Sequence, residues 1–247
     1  MQLSVFHAPE EVPDLTAIAP AQLPDCAIVI DVLRATTTIA TALHAGAEAV
    51  QAFEDLAELD AAGAAWPSDR CIRSGERGGK MVDGYDLGNS PLDYTAEVVT
   101  GKRIFVSTTN GTRALSCVES APTLLTAALV NVSAVVRHVV DRKFERIWIV
   151  NSGWQGAYAL EDSVCAGAIS LALQETSTAF KEMNDETIAA VALYRQWQDN
   201  LLGLMRSASH GQRLLRLGQD ADLAYCAALD TLDIVPQQSA PGVLTAG

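Results

Sequence analysis

Short apolar runs alternate along this chain with longer stretches in which apolar residues recur at helical spacing. Residues 27–32 (AIVIDV) are a β-branched run closed by an acid, the signature of a buried strand. Residues 35–45 follow, rich in Ala, with Ile39 and Leu43 at helical spacing and Gly46 placed to stop a helix. A strand over 48–53 and an Ala-rich helix over 55–65 come next. Periodicity then fails across 74–91 (SGERGGKMVDGYDLGNSP), where five glycines among polar residues predict a long loop. Beyond it the pattern predicts strands over 103–107, 123–127 and 146–150, and helices over 112–119, 132–140 and 160–173. The last of these helices follows a glycine loop at 151–156. Residues 185–230 read as mostly helical, punctuated by Gly203, Gly211 and Gly218, with a last strand over 232–235.

Strands alternating with helices of about ten residues predict an α/β fold: a mainly parallel or mixed sheet covered by helices on both faces, with a helix-rich C-terminal part. Residues 1–236 are expected to form a single α/β unit, with a division into two lobes left open. Residues 237–247 carry little to bury and are expected to be a loose tail.

Composition narrows the function. Five cysteines, an odd number with no CxxC pair, argue against a disulfide framework or a zinc site and suit a reducing cytoplasm. No apolar run nears the roughly 20 residues needed to span a bilayer, and MQLSVFHAPEEV does not read as a signal peptide. A net charge of −13 disfavours nucleic acid and anionic membranes as partners. It would also repel an anionic substrate unless cations were gathered locally. Thirteen of the seventeen basic residues are Arg, whose planar fork matches phosphate, sulfonate and carboxylate. The same count is equally what a drift from Lys to Arg would leave.

Three strand-to-helix junctions carry candidate chemistry. In Asp31-Val-Leu-Arg34-Ala-Thr36, a strand-end carboxylate precedes Arg and hydroxyls at a helix start, a plausible metal and phosphate site or else a capped turn with an Asp–Arg pair. In Asn110-Gly111-Thr112-Arg113, Asn-Gly lets consecutive N–H groups converge on an anion, or makes a tight turn and no more. The glycine loop at 151–156 precedes Glu161-Asp162, acids suited to Mg²⁺ or simply to a helix N-terminus. The long loop adds Glu76, Arg77, Lys80, Asp83, Asp86 and Asn89, a mix fit for a metal and an anion or for a solvated surface. His210 is a candidate general acid or anion contact. Cys71 and Arg77 have the Cys-x5-Arg spacing of cysteine phosphatases, but glycines follow where a helix should start.

The stretches VIDVLRATTTI (29–39), SGERGG…GYDLGNSP (74–91), STTNGTRAL (107–115), NSGWQG…LEDSVCAG (151–167) and SHGQRLLRLG…D (209–222) resemble the 2-phosphosulfolactate phosphatase family of coenzyme M biosynthesis. The resemblance runs from about Val29 to Pro236. It implies an α/β, Mg²⁺-dependent phosphatase that hydrolyses 2-phospho-3-sulfolactate to 3-sulfolactate and phosphate, and a homo-oligomer, a dimer by expectation. Alternatives are another small phospho-acid as substrate, or a non-catalytic anion-binding protein on the same pocket. On this reading Asp31, Glu76, Asp86 and Asp162 supply Mg²⁺ ligands. Arg34 and the turn Asn110, Gly111, Thr112 and Arg113 hold phosphate, with Thr36 and Asn89 beside them. Arg77 or His210 meets the sulfonate or carboxylate. Either a metal-bound water or Asp31 itself attacks phosphorus.

Overall fold

The structure is a computed structural model that describes residues 1–176 and 182–247. In chain order the elements are β1 (Gln2–Phe6), β2 (Cys26–Ile30), α1 (Ala35–His44), β3 (Ala49–Ala52), α2 (Leu56–Ala64), β4 (Cys71–Arg77), β5 (Lys80–Met81), α3 (Ala96–Val99), β6 (Arg103–Ser107) and α4 (Gly111–Cys117). There follow β7 (Leu124–Ala127), α5 (Val132–Arg142), β8 (Arg146–Asn151), α6 (Leu160–Thr176), β9 (Glu182–Met183), α7 (Asp185–Trp197), α8 (Leu201–Ser207), α9 (Ser209–Arg216), α10 (Asp220–Cys226), β10 (Pro236–Ala240) and β11 (Val243–Ala246).

The described strands form one sheet in the order β5-β4-β6-β3-β11-β10-β7-β2-β8-β1-β9. It is mixed. β4, β6 and β3 are parallel neighbours, as are β7, β2, β8, β1 and β9. All five residues of β2 are buried, and they alternate between the two faces. Cys26, Ile28 and Ile30 pack with α5, α6 and the C-terminal helices, while Ala27 and Val29 pack with α1 and α4. The sheet is therefore covered on both sides, as the alternating pattern predicts.

Three expectations are corrected. Residues 237–247 are not a loose tail: β10 and β11 form an antiparallel hairpin that enters the middle of the sheet. Gln237 pairs with Leu125 on one side, and Val243 and Leu244 pair with Gln51 and Val50 on the other. Val243 and Leu244 are buried, and Ala52 N–H closes the join on Gly242 O at 2.8 Å. The strand expected at 232–235 instead begins at Pro236. The long loop also starts later than expected, because Ser74–Arg77 belong to β4, where Ser74 and Gly75 pair with β6 and Glu76 and Arg77 with β5. There Gly75 runs so close that an added Cβ would lie 2.9 Å from Ser107 O. The sequence reading also passed over β1, which lies between β8 and β9.

Helices α6 and α7 meet through a glycine. A Cβ on Gly167 would sit 2.0 Å from Ala190 O and 2.9 Å from Tyr194 Cβ, so backbone would have to move. Gly167→Ala should cost about 1–3 kcal/mol of stability by overpacking despite the better helix propensity of Ala. Urea unfolding of the pure variant measures it, and an unchanged midpoint would show that the two helices part at little cost.

Candidate active site

Asp31 follows β2 directly and is buried. Its Oδ1 accepts the Ala35 N–H at 3.2 Å, and Gly111 stands so near Oδ2 that an added Cβ would lie 2.8 Å away. Burial pushes its carboxyl up to about 6, while His210 and the Ala35 N–H hold it back and Glu76 and Glu161 push further. The Leu33–Arg34 peptide that follows is cis.

Arg34 is 3% exposed. It is ion-paired with Asp222 of α10, and its Nη2 donates to Gly79 O at 3.3 Å. Asp222 also accepts the Ser90 hydroxyl at 2.8 Å, so one buried acid ties the β2–α1 junction, the long loop and α10 together. Glu76, at the end of β4, accepts the N–H groups of Thr109 and Gly79 at 2.8 and 2.7 Å. Burial alone would raise its carboxyl, yet these two amides, the Thr109 hydroxyl and Arg34 outweigh burial and hold it below the ordinary range. His210, on α9, stacks on Trp154 with centroids 5.6 Å apart, and its Nδ1 lies 3.5 Å from Glu161 Oε1.

These elements enclose a pocket lined by Asp31, Leu33, Arg34, Glu76, Gly79, Asn89, Thr108, Asn110 and His210. It lies off the carboxyl ends of β2, β4 and β6, where α/β sheets bind ligands. Its free volume is about 10 Å³, enough for one water or a bare cation. A phosphate ester needs the pocket to widen.

The structure thus gathers Asp31, Arg34, Glu76, Asn89, Asn110 and His210, and brings Gly111 against Asp31. Other expected residues are engaged elsewhere. The Thr36 hydroxyl is taken by the Asp31 backbone, bonding its N–H and carbonyl at 2.9 Å each. Thr112 bonds back to Thr108 O at 2.8 Å within its own turn. Arg113 pairs with Glu10 at 2.8 Å, and Arg77 turns to Ser107, with Nη2 2.9 Å from its hydroxyl. Asp86 is exposed and accepts the Arg73 N–H at 2.7 Å, which fastens the long loop to β4 and leaves Asp86 off the pocket wall.

Asp162 is likewise not turned to the pocket. It accepts Val32 N–H at 2.9 Å, the Ser152 hydroxyl at 3.0 Å and Gly153 N–H at 3.2 Å, bracing the end of β2 against the glycine loop. Burial first, then Asp31 and Glu161, push its carboxyl well up. Of the adjacent acids, Glu161 faces His210, while Asp162, expected as a metal ligand, serves the backbone. Asp222 closes the 209–222 motif but was not among the expected site residues, because its role comes from Arg34, 188 residues away in the chain.

The donor set fits a hard divalent cation. Asn89 Oδ1 is buried with no hydrogen-bond partner, and Asp31 Oδ2 faces away from the Ala35 N–H that holds Oδ1. The acids Glu76 and Glu161 both act on the Asp31 carboxyl, so negative charge is concentrated here. Among the described residues no three His, Cys, Asp or Glu side chains form a ready cage, so the expected four-acid ligand set is not assembled. Magnesium requires less, because it keeps several waters and takes one or two protein oxygens together with substrate phosphate.

No helix among the described residues is long and apolar enough to cross a membrane. The sequence model of the 2-phosphosulpholactate phosphatase family matches residues 12–241. Over 248 residues, and 99% of each chain, the sequence is 59% identical to a protein of Synechococcus sp. (strain RCC307) named probable 2-phosphosulfolactate phosphatase. Proteins of the same name from Microcystis aeruginosa and from Synechocystis sp. are each 56% identical, over 99% and 100% of both chains respectively.

Proposed function

Because the chain belongs to the 2-phosphosulpholactate phosphatase family, we propose that the pocket at Asp31 hydrolyses 2-phospho-3-sulfolactate to 3-sulfolactate and phosphate with Mg²⁺ bound. The observation that carries this reading is the buried juxtaposition of Asp31, Asn89 and Arg34 in one pocket. Asp31 and Asn89 would hold the metal, which would neutralise charge on the phosphoryl oxygens and orient them.

The rest falls to the chain itself. Phosphoryl transfer asks mainly for positioning and charge stabilisation. Arg34, clamped by Asp222, presents a fixed guanidinium to the phosphoryl oxygens. Glu76 holds the amides of Gly79 and Thr109 in place and so shapes the wall. The Asp31 carboxylate stands at the reacting phosphorus. His210, steadied by Trp154 and Glu161, stands ready to give a proton to the departing alkoxide.

Phosphate release from racemic 2-phosphosulfolactate and a panel of small phosphate esters, with Mg²⁺ and then with EDTA, tests the activity. Release should be fastest on the sulfonated ester and vanish with EDTA. Metal binding has its own readout: Mg²⁺ should raise the melting temperature of the wild type and leave that of Asp31→Asn nearly unmoved. Release from other phospho-acids alone would remove the substrate. No release together with no thermal shift would remove the reading.

A further inference from the structure

A substrate with phosphate, carboxylate and sulfonate needs more positive charge than Arg34 and His210 supply. Most arginines near the pocket are already matched to acids: Arg34 to Asp222, Arg113 to Glu10 and Arg73 to Asp60. Drawing Arg34 away would strand a buried carboxylate, a heavily unfavourable step. Arg213 differs. Among the described residues its one hydrogen-bond partner is a neutral carbonyl, Gly78 O, 3.1 Å from Nη2. It lies one turn beyond His210 on α9, so the two side chains share a helix face. His210 is already in the pocket wall.

We propose that Arg213 is the residue that selects the sulfonate of the substrate. The inference rests on the reading of the pocket as a phosphosulfolactate phosphatase. Sulfonate is fully ionised and too weakly basic to compete for a metal, so it calls for a protein cation. A guanidinium fork matches two of its oxygens. Arg77 leads into the same Gly78–Gly79 turn from the other side, and among the described residues its guanidinium too hydrogen-bonds to neutral groups, Glu76 O and Ser107.

The same contact fastens the turn that borders the pocket. Gly79 lines the pocket, and its carbonyl accepts from Arg34 at 3.3 Å and from Gln219 at 3.4 Å. Gly78 and Gly79 have φ of +62° and +83°, a turn that glycines adopt without strain. When a sulfonate takes the Arg213 fork, the Gly78 carbonyl loses its donor. The turn then loses one of its ties to α9 and keeps those of Gly79 to Arg34, Gln219 and Glu76.

The test compares kcat/KM for 2-phosphosulfolactate with kcat/KM for the same phosphate ester carrying methyl in place of the sulfonated carbon. The ratio isolates the sulfonate. Arg213→Gln should lower that ratio about 10- to 100-fold, the worth of a charge-assisted hydrogen bond, chiefly through KM for the sulfonated ester. Arg213→Lys should recover part of the loss. If the Gln variant does not fold, the Lys variant is read against wild type for an intermediate ratio. Arg216→Gln, an exposed charge on the same helix, controls for net charge and should leave the ratio unchanged. A wild type that discriminates strongly while Arg213→Gln keeps the full ratio would overturn the role of Arg213 alone. A wild type with no preference for the sulfonated ester would instead overturn the underlying substrate reading.

Discussion

Asp31→Asn should fold, melt higher than the wild type at pH 8 in EDTA, and turn over phosphosulfolactate at least about a thousandfold more slowly. The loss follows from position. Asp31 is the acid at the end of strand β2, where the N-terminal ends of helices α1 and α4 meet, and Asn keeps its shape but not its charge. The gain in stability follows from the raised carboxyl. The folded chain keeps a proton up to about 6, whereas the ordinary value for an Asp is 3.8. Below the lower value both states are protonated and nothing is lost. As pH climbs through the interval, the wild type must ionise a buried acid facing Glu76 and Glu161, which costs up to about 3 kcal/mol above it. Asn escapes that cost and still accepts the Ala35 N–H. Calorimetry at pH 4 and pH 8, beside a turnover assay, reads both halves. Near-normal turnover would remove Asp31 from the reaction. A melting point no higher than wild type at pH 8 would show that the ionised acid is well compensated without metal.

The buried pair Arg34–Asp222 should give the largest stability effect. Asp222→Leu leaves the guanidinium with only the Gly79 carbonyl, and Arg34→Met leaves the carboxylate with only the Ser90 hydroxyl. Each single change should cost about 3–5 kcal/mol, because an unpaired charge remains in the interior. The double variant should be less destabilised than the sum of the two singles by 2 kcal/mol or more, since a pair of apolar groups strands nothing. Urea unfolding of all four proteins closes the cycle. Additive costs would show that water or other groups replace the missing partner. Activity should separate from stability here: Arg34→Lys keeps a charge for Asp222 but loses the fork, and should be slow even where it is stable.

Much of this was legible in one dimension. The apolar run at 27–32, the Ala-rich helix after it and the strand at 103–107 stand almost where they were expected, because parallel central strands are buried on both faces and show it in their composition. Asp31, Arg34, Asn110 and His210 were legible as candidates because strand-to-helix junctions and glycine turns announce themselves locally. The hairpin over 236–246 was not. Its first strand, PQQSA, is polar, and its place in the sheet is decided by β3 and β7, more than a hundred residues earlier. The Pro241-Gly242 turn between apolar and polar arms was the one local sign of it. β1 hid for a similar reason, as five residues with no helix beside them.

The sequence by itself determined the alternation of strands and helices, the acidic character and the set of acids and arginines that the chemistry can draw on. Only the tertiary structure decided how those side chains are used. Asp162 and Asp86 became braces because backbone N–H groups reached their oxygens first. Thr36 turned inward on its own strand end, Glu161 came to face His210, and Asp222 arrived from the far end of the chain to hold Arg34. Local patterns record burial and periodicity, which depend on neighbours in the chain. The partner of a polar atom depends on which group the fold brings within hydrogen-bonding distance, and in this protein that partner often lies more than a hundred residues away.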